Sequence, residues 1–184
     1  DVEGSILGHT RWASVGLISE SNAHPVDSTR ADGVVGPLVT AVVNGDVDNH
    51  TDLVATEGLS VAPEITTDAK VVPSLCAHHL SAGHERIEAF RRTVGVFEGS
   101  LAIGAATGDV PDRLLFALRG SGQGLYLGIA EDAYVVASEP YGIVEAAVDF
   151  VRMDGETPAD LDSPEASRGQ IVELDGVLAG TLEG

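Results

Sequence analysis

Apolar residues recur at alternate positions or in short continuous runs along most of the chain, a pattern typical of β-strands. Strands are predicted over residues 5–10, 38–43, 100–106, 113–119, 124–129 and 133–138, and residues 170–174 and 177–181 are predicted to form a closing hairpin. The polar stretches 19–33 and 154–169 are rich in Ser, Asp and Pro and predict exposed loops.

Other stretches have apolar residues at helical spacing. One begins after Asp68, which we expect to cap the helix, and Pro73 falls in its early turns, where a missing N–H costs little. The apolar positions of this helix are Val71, Val72, Leu75 and Cys76. Helices are also predicted over 85–94, with Ile87, Phe90 and Val94 on one face, and over 140–148. The chain has helices together with enough strands for two sheets, and its sequence contains no internal repeat or interdomain linker. We therefore predict one α+β domain.

Composition limits the class of partner. The chain has 184 residues with 29 acidic and 10 basic side chains, a formal net charge of −19. Such a surface repels phosphate backbones and anionic lipid headgroups, so nucleic acid and membranes are not expected partners. No apolar run approaches the roughly 20 residues of a membrane-spanning helix, and we expect a cytoplasmic protein. A single cysteine, Cys76, excludes an internal disulfide and a thiolate-rich zinc site.

Two clusters of metal-binding residue types have simpler explanations. His78, His79 and His84 with Glu85 are awkwardly spaced for one helical face, and Gly83 is expected to end that helix. The acidic run Asp46, Asp48, Asn49 and Asp52 lacks the central glycine and final glutamate of a calcium loop. We therefore expect exposed histidines and a solvated helix start, and no metal or cofactor.

Three segments carry residues suited to binding and catalysis. Arg11 beside Trp12, at a predicted strand end, offers a bidentate fork for a carboxylate, or is a surface arginine stacked on a packing tryptophan. Asn44 and Gly45 end a strand with a side-chain amide beside an unhindered N–H, which suits an oxyanion hole or a hairpin turn. Asp68 suits a helix cap or an ammonium-binding carboxylate.

In their order and spacing these segments resemble the class II glutamine amidotransferases, and more narrowly the glutaminase domains of the glucosamine-6-phosphate synthase family. The matching stretches are 8–13 (GHTRWA), 22–25 (NAHP), 41–45 (AVVNG) and 67–68 (TD). The resemblance implies a four-layer αββα sandwich of the N-terminal nucleophile hydrolase type, incomplete at its N-terminus, over residues 1–184.

The resemblance also implies how glutamine is bound. Arg11 and Ser14 would hold its α-carboxylate, and Asp68 its α-ammonium group. The Asn44 side chain and the Gly45 N–H would form the oxyanion hole. Trp12 would line the pocket, and His24 would support the loop near it.

The sequence departs from the family at its nucleophile. The family uses a cysteine at the first position of the mature chain, whereas this sequence has Asp1, and Cys76 lies on a predicted helix as a small buried residue. Val15 and Val43 stand where the family usually has histidines. We therefore expect a truncated domain without the nucleophile-bearing segment or the sugar isomerase domain.

Two functions follow from this interpretation. One is a fragment of an enzyme that releases ammonia from glutamine for transfer to a sugar phosphate. The alternative is a nucleophile-free module that binds an amino acid, glutamine or glutamate, without catalysis. Because a sandwich without its first strands exposes sheet edges, we also expect the chain to self-associate or to bind the missing segment.

Overall fold

The computed structural model describes residues 4–158, 160–162 and 167–181, and Asp1 lies outside the described residues. Two antiparallel sheets form the centre of the fold. The larger contains, side by side in this order, β1 (Val26–Asp27), β2 (Val39–Gly45), β3 (Leu101–Thr107), β4 (Arg113–Arg119) and β8 (Gln170–Asp175). The smaller contains, in spatial order, β6 (Tyr134–Ala137), β5 (Tyr126–Ile129) and β7 (Asp149–Arg152).

Helices cover one face of the larger sheet. They are α1 (His50–Thr56), α2 (Val71–Ser81) and α3 (Arg86–Gly95), and 3-10 turns occupy Glu20–Asn22, Asp68–Lys70, Pro140–Gly142 and Gly176–Leu178. The strand pattern explains this packing, because Val39, Ala41 and Val43 alternate along β2 and bury their side chains against the helices.

The opposite face of the larger sheet meets the smaller sheet. Ala102, Phe116 and Leu118 pack there against Leu125 and Leu127. The outer face of the smaller sheet is covered by the segment after β6: a Cβ added at Gly128 would lie 2.8 Å from the Ala147 Cβ. The structure therefore has a helical layer, two sheets and an outer layer made by the 3-10 turn Pro140–Gly142 and the turns that follow it.

Most predicted elements are confirmed, including β2 up to Asn44 and Gly45, β3, β4, β5, β6, α2 and α3. The hairpin alternative for Asn44–Gly45 is wrong, because β2 pairs along its whole length with β3, with Gly45 opposite Leu101. The predicted closing hairpin is also wrong: β8 pairs with β4, and the chain then enters the 3-10 turn Gly176–Leu178.

Residues 5–10, predicted as a strand, have no strand partner. The Leu7 side chain contacts the sheet, since a Cβ added at Gly104 of β3 would lie 3.0 Å from Leu7 Cδ1, whereas Ile6 is 83% exposed. The segment thus crosses the face of the larger sheet instead of extending it. Ile87 of α3, predicted to share one face with Phe90 and Val94, is exposed, whereas the other two residues are buried. None of the helices within the described ranges is long and apolar enough to cross a bilayer.

Candidate active site

Asn44 lies on the side of β2 opposite the helices. Because neighbouring residues of a strand point to opposite faces, Val43 enters the helix-facing core and Asn44 faces the space between the sheets. There it lines a cavity of about 1050 Å³, together with Ala102 and Gly104 of β3 and with His9. The side-chain amide is therefore accessible from the cavity.

The N–H of Gly45 points to the edge of β2 that faces away from β3. Val43 N donates to His24 Nδ1 at 3.4 Å on that edge, and N–H groups two residues apart in a strand share a direction. Among the described strands, β1 occupies this edge only opposite Thr40 and Ala41, so the Gly45 N–H lies beyond the ladder. Asn44 and Gly45 thus supply two adjacent donors at one strand end.

The residue at position 45 has to be glycine. Its φ is +106°, and an added Cβ would lie 2.0 Å from the carbonyl oxygen of Ser100. Side chains rarely adopt this conformation and none fits against that oxygen. The close approach holds the end of β2 against the start of β3.

Arg11 is positioned by a loop over residues 11–18, here called the strap. The Arg11 guanidinium donates to the carbonyl oxygens of Val15 and, at 3.3 Å, of Leu17. A substrate carboxylate would have to replace these two neutral acceptors. Trp12, predicted to line the pocket, is 94% exposed. Neither Trp12 nor Arg11 nor Asp68 is among the residues that line the cavity beside Asn44.

The strap is fastened at its other end to the residues that flank the site. Ser14 Oγ donates to the carboxylate of Asp46, the residue after the Asn44–Gly45 pair. Leu17 N donates to Thr66 Oγ1 at 2.9 Å, two residues before Asp68. The predicted carboxylate-binding and ammonium-binding residues are therefore brought to the same end of β2.

Asp68 is buried, with 5% of its surface exposed. Its Oδ2 accepts a 2.6 Å hydrogen bond from Val47 N, so this carboxylate links the segment after β2 to the Asp68–Lys70 turn. The expected capping role is wrong, because Lys70 is the N-cap residue of α2 and no side chain caps that helix. Burial raises the pKa of Asp68, and nearby Asp46 raises it further. A cation placed here would relieve both effects.

The histidines of the site stack on each other. The rings of His9 and His24 lie 4.7 Å apart with 23° between their planes. Burial is the main cause that lowers the pKa of His24 to about 4, and His9 and Arg11 lower it further. His24 is therefore neutral at pH 7, and its Nδ1 accepts the Val43 N–H that β1 leaves unpaired.

This pKa predicts a loss of stability in mild acid. The unfolded chain binds a proton on His24 near pH 6.5 and the folded chain only near pH 4. Between these values the unfolded state binds more protons, so the free energy of unfolding falls as pH is lowered from 6.5 towards 4. We expect the free energy of unfolding of His24→Asn, measured by urea denaturation, to fall less steeply with pH over this range than that of the parent. The same dependence on pH in both proteins would show that His24 is not the group responsible.

Cys76 has no nucleophilic character. It is fully buried between α2 and α3, and burial raises the pKa of its thiol to about 12. This agrees with its prediction as a small buried residue. His78, His79 and His84 lie near one another, with ring centroids 5.9 and 5.8 Å apart along the series. Within the described ranges, no group of three or more His, Cys, Asp or Glu residues is arranged to hold a metal ion.

Two buried polar residues beside the site were not assigned a role from the sequence. Lys70, 2% exposed, donates through Nζ to the carbonyls of Asp27 (2.5 Å) and Thr29 (2.8 Å), which directs its charge away from Asp68. Asn22 is fully buried between the strap and the segment before Asp68. Asn22 belongs to the 22–25 motif, which was the only signal in the sequence that could have identified it.

Comparison with known proteins identifies relatives of this chain. It is 33% identical to glutamine–fructose-6-phosphate aminotransferase [isomerizing] of Bacillus anthracis, over 80% of this chain and 23% of the relative. The enzyme of the same name from Xanthomonas campestris is 29% identical over 96% of this chain and 29% of its own length. The chain spans about a quarter of the length of these relatives. No family model matches it.

Solved structures show the same fold. Glutamine phosphoribosylpyrophosphate amidotransferase of B. subtilis, complexed with ADP and GMP, matches with a TM-score of 0.59 and 19% identity over 91% of this chain and 34% of its own. The allosteric regulatory enzyme of purine biosynthesis matches with a TM-score of 0.55 and 23% identity over 72% of this chain and 27% of its own. The α+β sandwich is therefore the N-terminal nucleophile hydrolase fold of these amidotransferases, and over most of its length the chain is similar in sequence to glutamine–fructose-6-phosphate aminotransferases.

Proposed function

We propose that this chain binds glutamine at the end of β2 and, within its complete protein, releases ammonia from the side-chain amide. The observation that carries the proposal is the gathering of three predicted elements at one place. The Arg11 strap is hydrogen-bonded to Asp46 and Thr66, next to Asn44–Gly45 on one side and Asp68 on the other. These residues offer a cation, an anion and two amide donors, which match the groups of glutamine.

Arg11 and Asp68 would bind the two charged groups of the amino acid. The strap carbonyls now bonded to Arg11 are neutral, whereas a substrate carboxylate is charged and can accept two parallel hydrogen bonds from the guanidinium. Exchange of the Val15 and Leu17 oxygens for a substrate carboxylate is therefore favourable, and Ser14 would add its hydroxyl by leaving Asp46. The pKa of the buried Asp68 carboxyl group is raised in the structure. The ammonium group of glutamine would stabilise the charged carboxylate.

Asn44 and Gly45 would stabilise the oxyanion that forms when the amide carbon is attacked. The attacking group would be a thiol supplied from outside this sequence, because Cys76 is buried and protonated. The thiol sulfur bonds to the amide carbon, ammonia leaves with the proton taken from the thiol, and water hydrolyses the thioester to glutamate.

The remainder of the complete protein would use the ammonia. The names of the relatives specify fructose 6-phosphate as their acceptor, and we propose a sugar phosphate acceptor and a sugar isomerase domain for the protein that contains this chain. A cytoplasmic location accompanies this proposal, because glutamine and phosphorylated sugars are metabolites of that compartment.

Glutamate production from glutamine by the complete gene product tests the proposal. We expect steady release of glutamate and ammonia, with glutamate formation continuing in the absence of a sugar phosphate. Glutamine binding in calorimetry without any glutamate formation would instead support the alternative, a nucleophile-free amino-acid-binding module. Absence of both binding and hydrolysis would contradict both functions.

Self-association of this chain is also proposed. All four residues of the edge strand β7 are exposed, including Phe150 and Val151, and Val148 just before them is 95% exposed. An apolar strand edge of this kind favours pairing with another chain. Sedimentation velocity of the 184-residue chain is expected to show a dimer or larger species that is weakened by Val151→Lys. A monomer at all concentrations tested would contradict this expectation.

A further inference from the structure

We propose that Asn22 is a positioning residue that fixes the Arg11 strap relative to Asp68 and thereby determines the affinity for glutamine. This inference rests on the proposed function, because it concerns the distance between the two charged ends of the same binding site. Asn22 would not touch the substrate. It would act through the backbone segments that carry the two charged residues.

Both the oxygen and the nitrogen of the Asn22 side-chain amide form hydrogen bonds. Its Oδ1 accepts from Thr66 N at 2.7 Å and from Thr67 N at 2.9 Å. Its Nδ2 donates to Ser19 Oγ at 2.7 Å and to Glu64 O at 3.2 Å. The residue has no exposed surface. One buried side chain therefore joins the chain just after the strap to Glu64, Thr66 and Thr67, shortly before Asp68.

Two further contacts join the same segments directly. Leu17 N of the strap donates to Thr66 Oγ1 at 2.9 Å. A Cβ added at Gly16 would lie 2.7 Å from the carbonyl carbon of Thr66, so the two backbones are in close contact there. With Asn22 they form a connection between the strap and residues 64–67.

None of the strap residues is buried, so the strap contributes little to the hydrophobic core. The strap contains no strand or helix, and Trp12 and Ile18 within it are more than nine-tenths exposed. What the connection does fix is the position of Arg11, on one side, relative to Asp68, which directly follows Thr67. In a site that binds both ends of one small molecule, displacing either charged group lengthens its hydrogen bonds to the ligand and weakens binding.

The expected kinetic effect is on KM. Contacts with the carboxylate and ammonium groups of glutamine are the same before and during attack on its amide, so weakening them raises KM and leaves kcat unchanged. A purely structural role for Asn22 would lower the folded fraction, and hence apparent kcat, without changing KM.

The experiment compares four variants of the complete gene product in glutamine hydrolysis, with thermal unfolding measured alongside. For Asn22→Ala we expect KM to rise about tenfold with kcat per folded molecule within about twofold of the parent. For Thr66→Val, which removes the hydroxyl that accepts from Leu17 N and donates to Asn22 Oδ1 at 3.5 Å, we expect KM to rise about threefold. The control is Thr93→Ala: Thr93 is buried in α3 and bonded to Ala89 O at 2.8 Å, so it should lower the unfolding temperature and leave KM unchanged.

A lowered unfolding temperature with an unchanged KM in Asn22→Ala would overturn the inference. If that variant does not fold, an unchanged KM in Thr66→Val would overturn it. Arg11→Lys separates this outcome from failure of the proposed function. A raised KM in Arg11→Lys with an unchanged KM in Asn22→Ala and Thr66→Val rejects only the role of Asn22. An unchanged KM in all of these variants, Arg11→Lys included, rejects the binding site itself.

Discussion

Replacing Asn44 with alanine is expected to lower kcat for glutamine hydrolysis by the complete gene product about 10²–10³-fold, with KM changed little, because one oxyanion-hole donor contributes on this scale. The side chain faces the cavity between the sheets and packs into no hydrophobic core, so its removal should not unfold the domain. Initial rates over a range of glutamine concentrations give the two constants.

Asn49→Ala is the matched control for this experiment. Asn49 lies five residues further along the same segment, and its amide is bonded to backbone groups at Val96 and Glu98, away from the cavity. The Asn49→Ala variant should retain kcat within about twofold, because the Asn49 side chain makes no hydrogen bond to the oxyanion that forms in the transition state. Equal kcat values for Asn44→Ala and the parent would show that Asn44 is not an oxyanion donor.

Gly45→Ala is expected to lower the free energy of unfolding by about 3 kcal/mol, the upper end of the cost of backbone strain. The added methyl group meets the carbonyl oxygen of Ser100 at 2.0 Å, and the φ of +106° is one that alanine rarely adopts. Relief of the contact requires β2 and β3 to separate at their ends, and this separation also moves the Gly45 N–H. Urea denaturation measures the loss in the free energy of unfolding.

The control is Gly95→Ala at the end of α3, where nothing lies within 4 Å of the added Cβ and no positive φ is required. There the substitution reduces the entropy of the unfolded chain and should be neutral or stabilising. Equal stability of the two alanine variants would contradict the description of Gly45 as a position that only glycine can occupy.

The sequence predicts best where local pattern and burial agree. The β-branched run before Asn44 continues as β2, and its alternation correctly places Val43 in the core and Asn44 on the opposite face. Arg113–Arg119 likewise forms β4 within the predicted bounds. Residues 5–10 have the same apolar character but lie across the sheet, because nothing in an apolar run distinguishes a strand from an extended segment packed on one.

Contacts between distant residues could not be predicted from the pattern. Asp68 was expected to cap a helix, yet its carboxylate accepts a hydrogen bond from Val47 N, 21 residues earlier. Arg11 was expected to offer a free fork, but it is bonded to two carbonyls of its own loop. Asn22 acquires its position only when residues 64–67 fold against it. These side chains decide the geometry of the site, and their partners are set by the fold as a whole.

The structure of the complete protein crystallised with glutamate, the product of hydrolysis, would examine the binding site most directly. We expect the Arg11 guanidinium to have left the oxygens of Val15 and Leu17 for the α-carboxylate, with the ammonium group at Asp68 and the side-chain carboxylate within hydrogen-bonding distance of Asn44 and the Gly45 N–H. Glutamate bound elsewhere, with Arg11 still turned onto its own loop, would contradict the account.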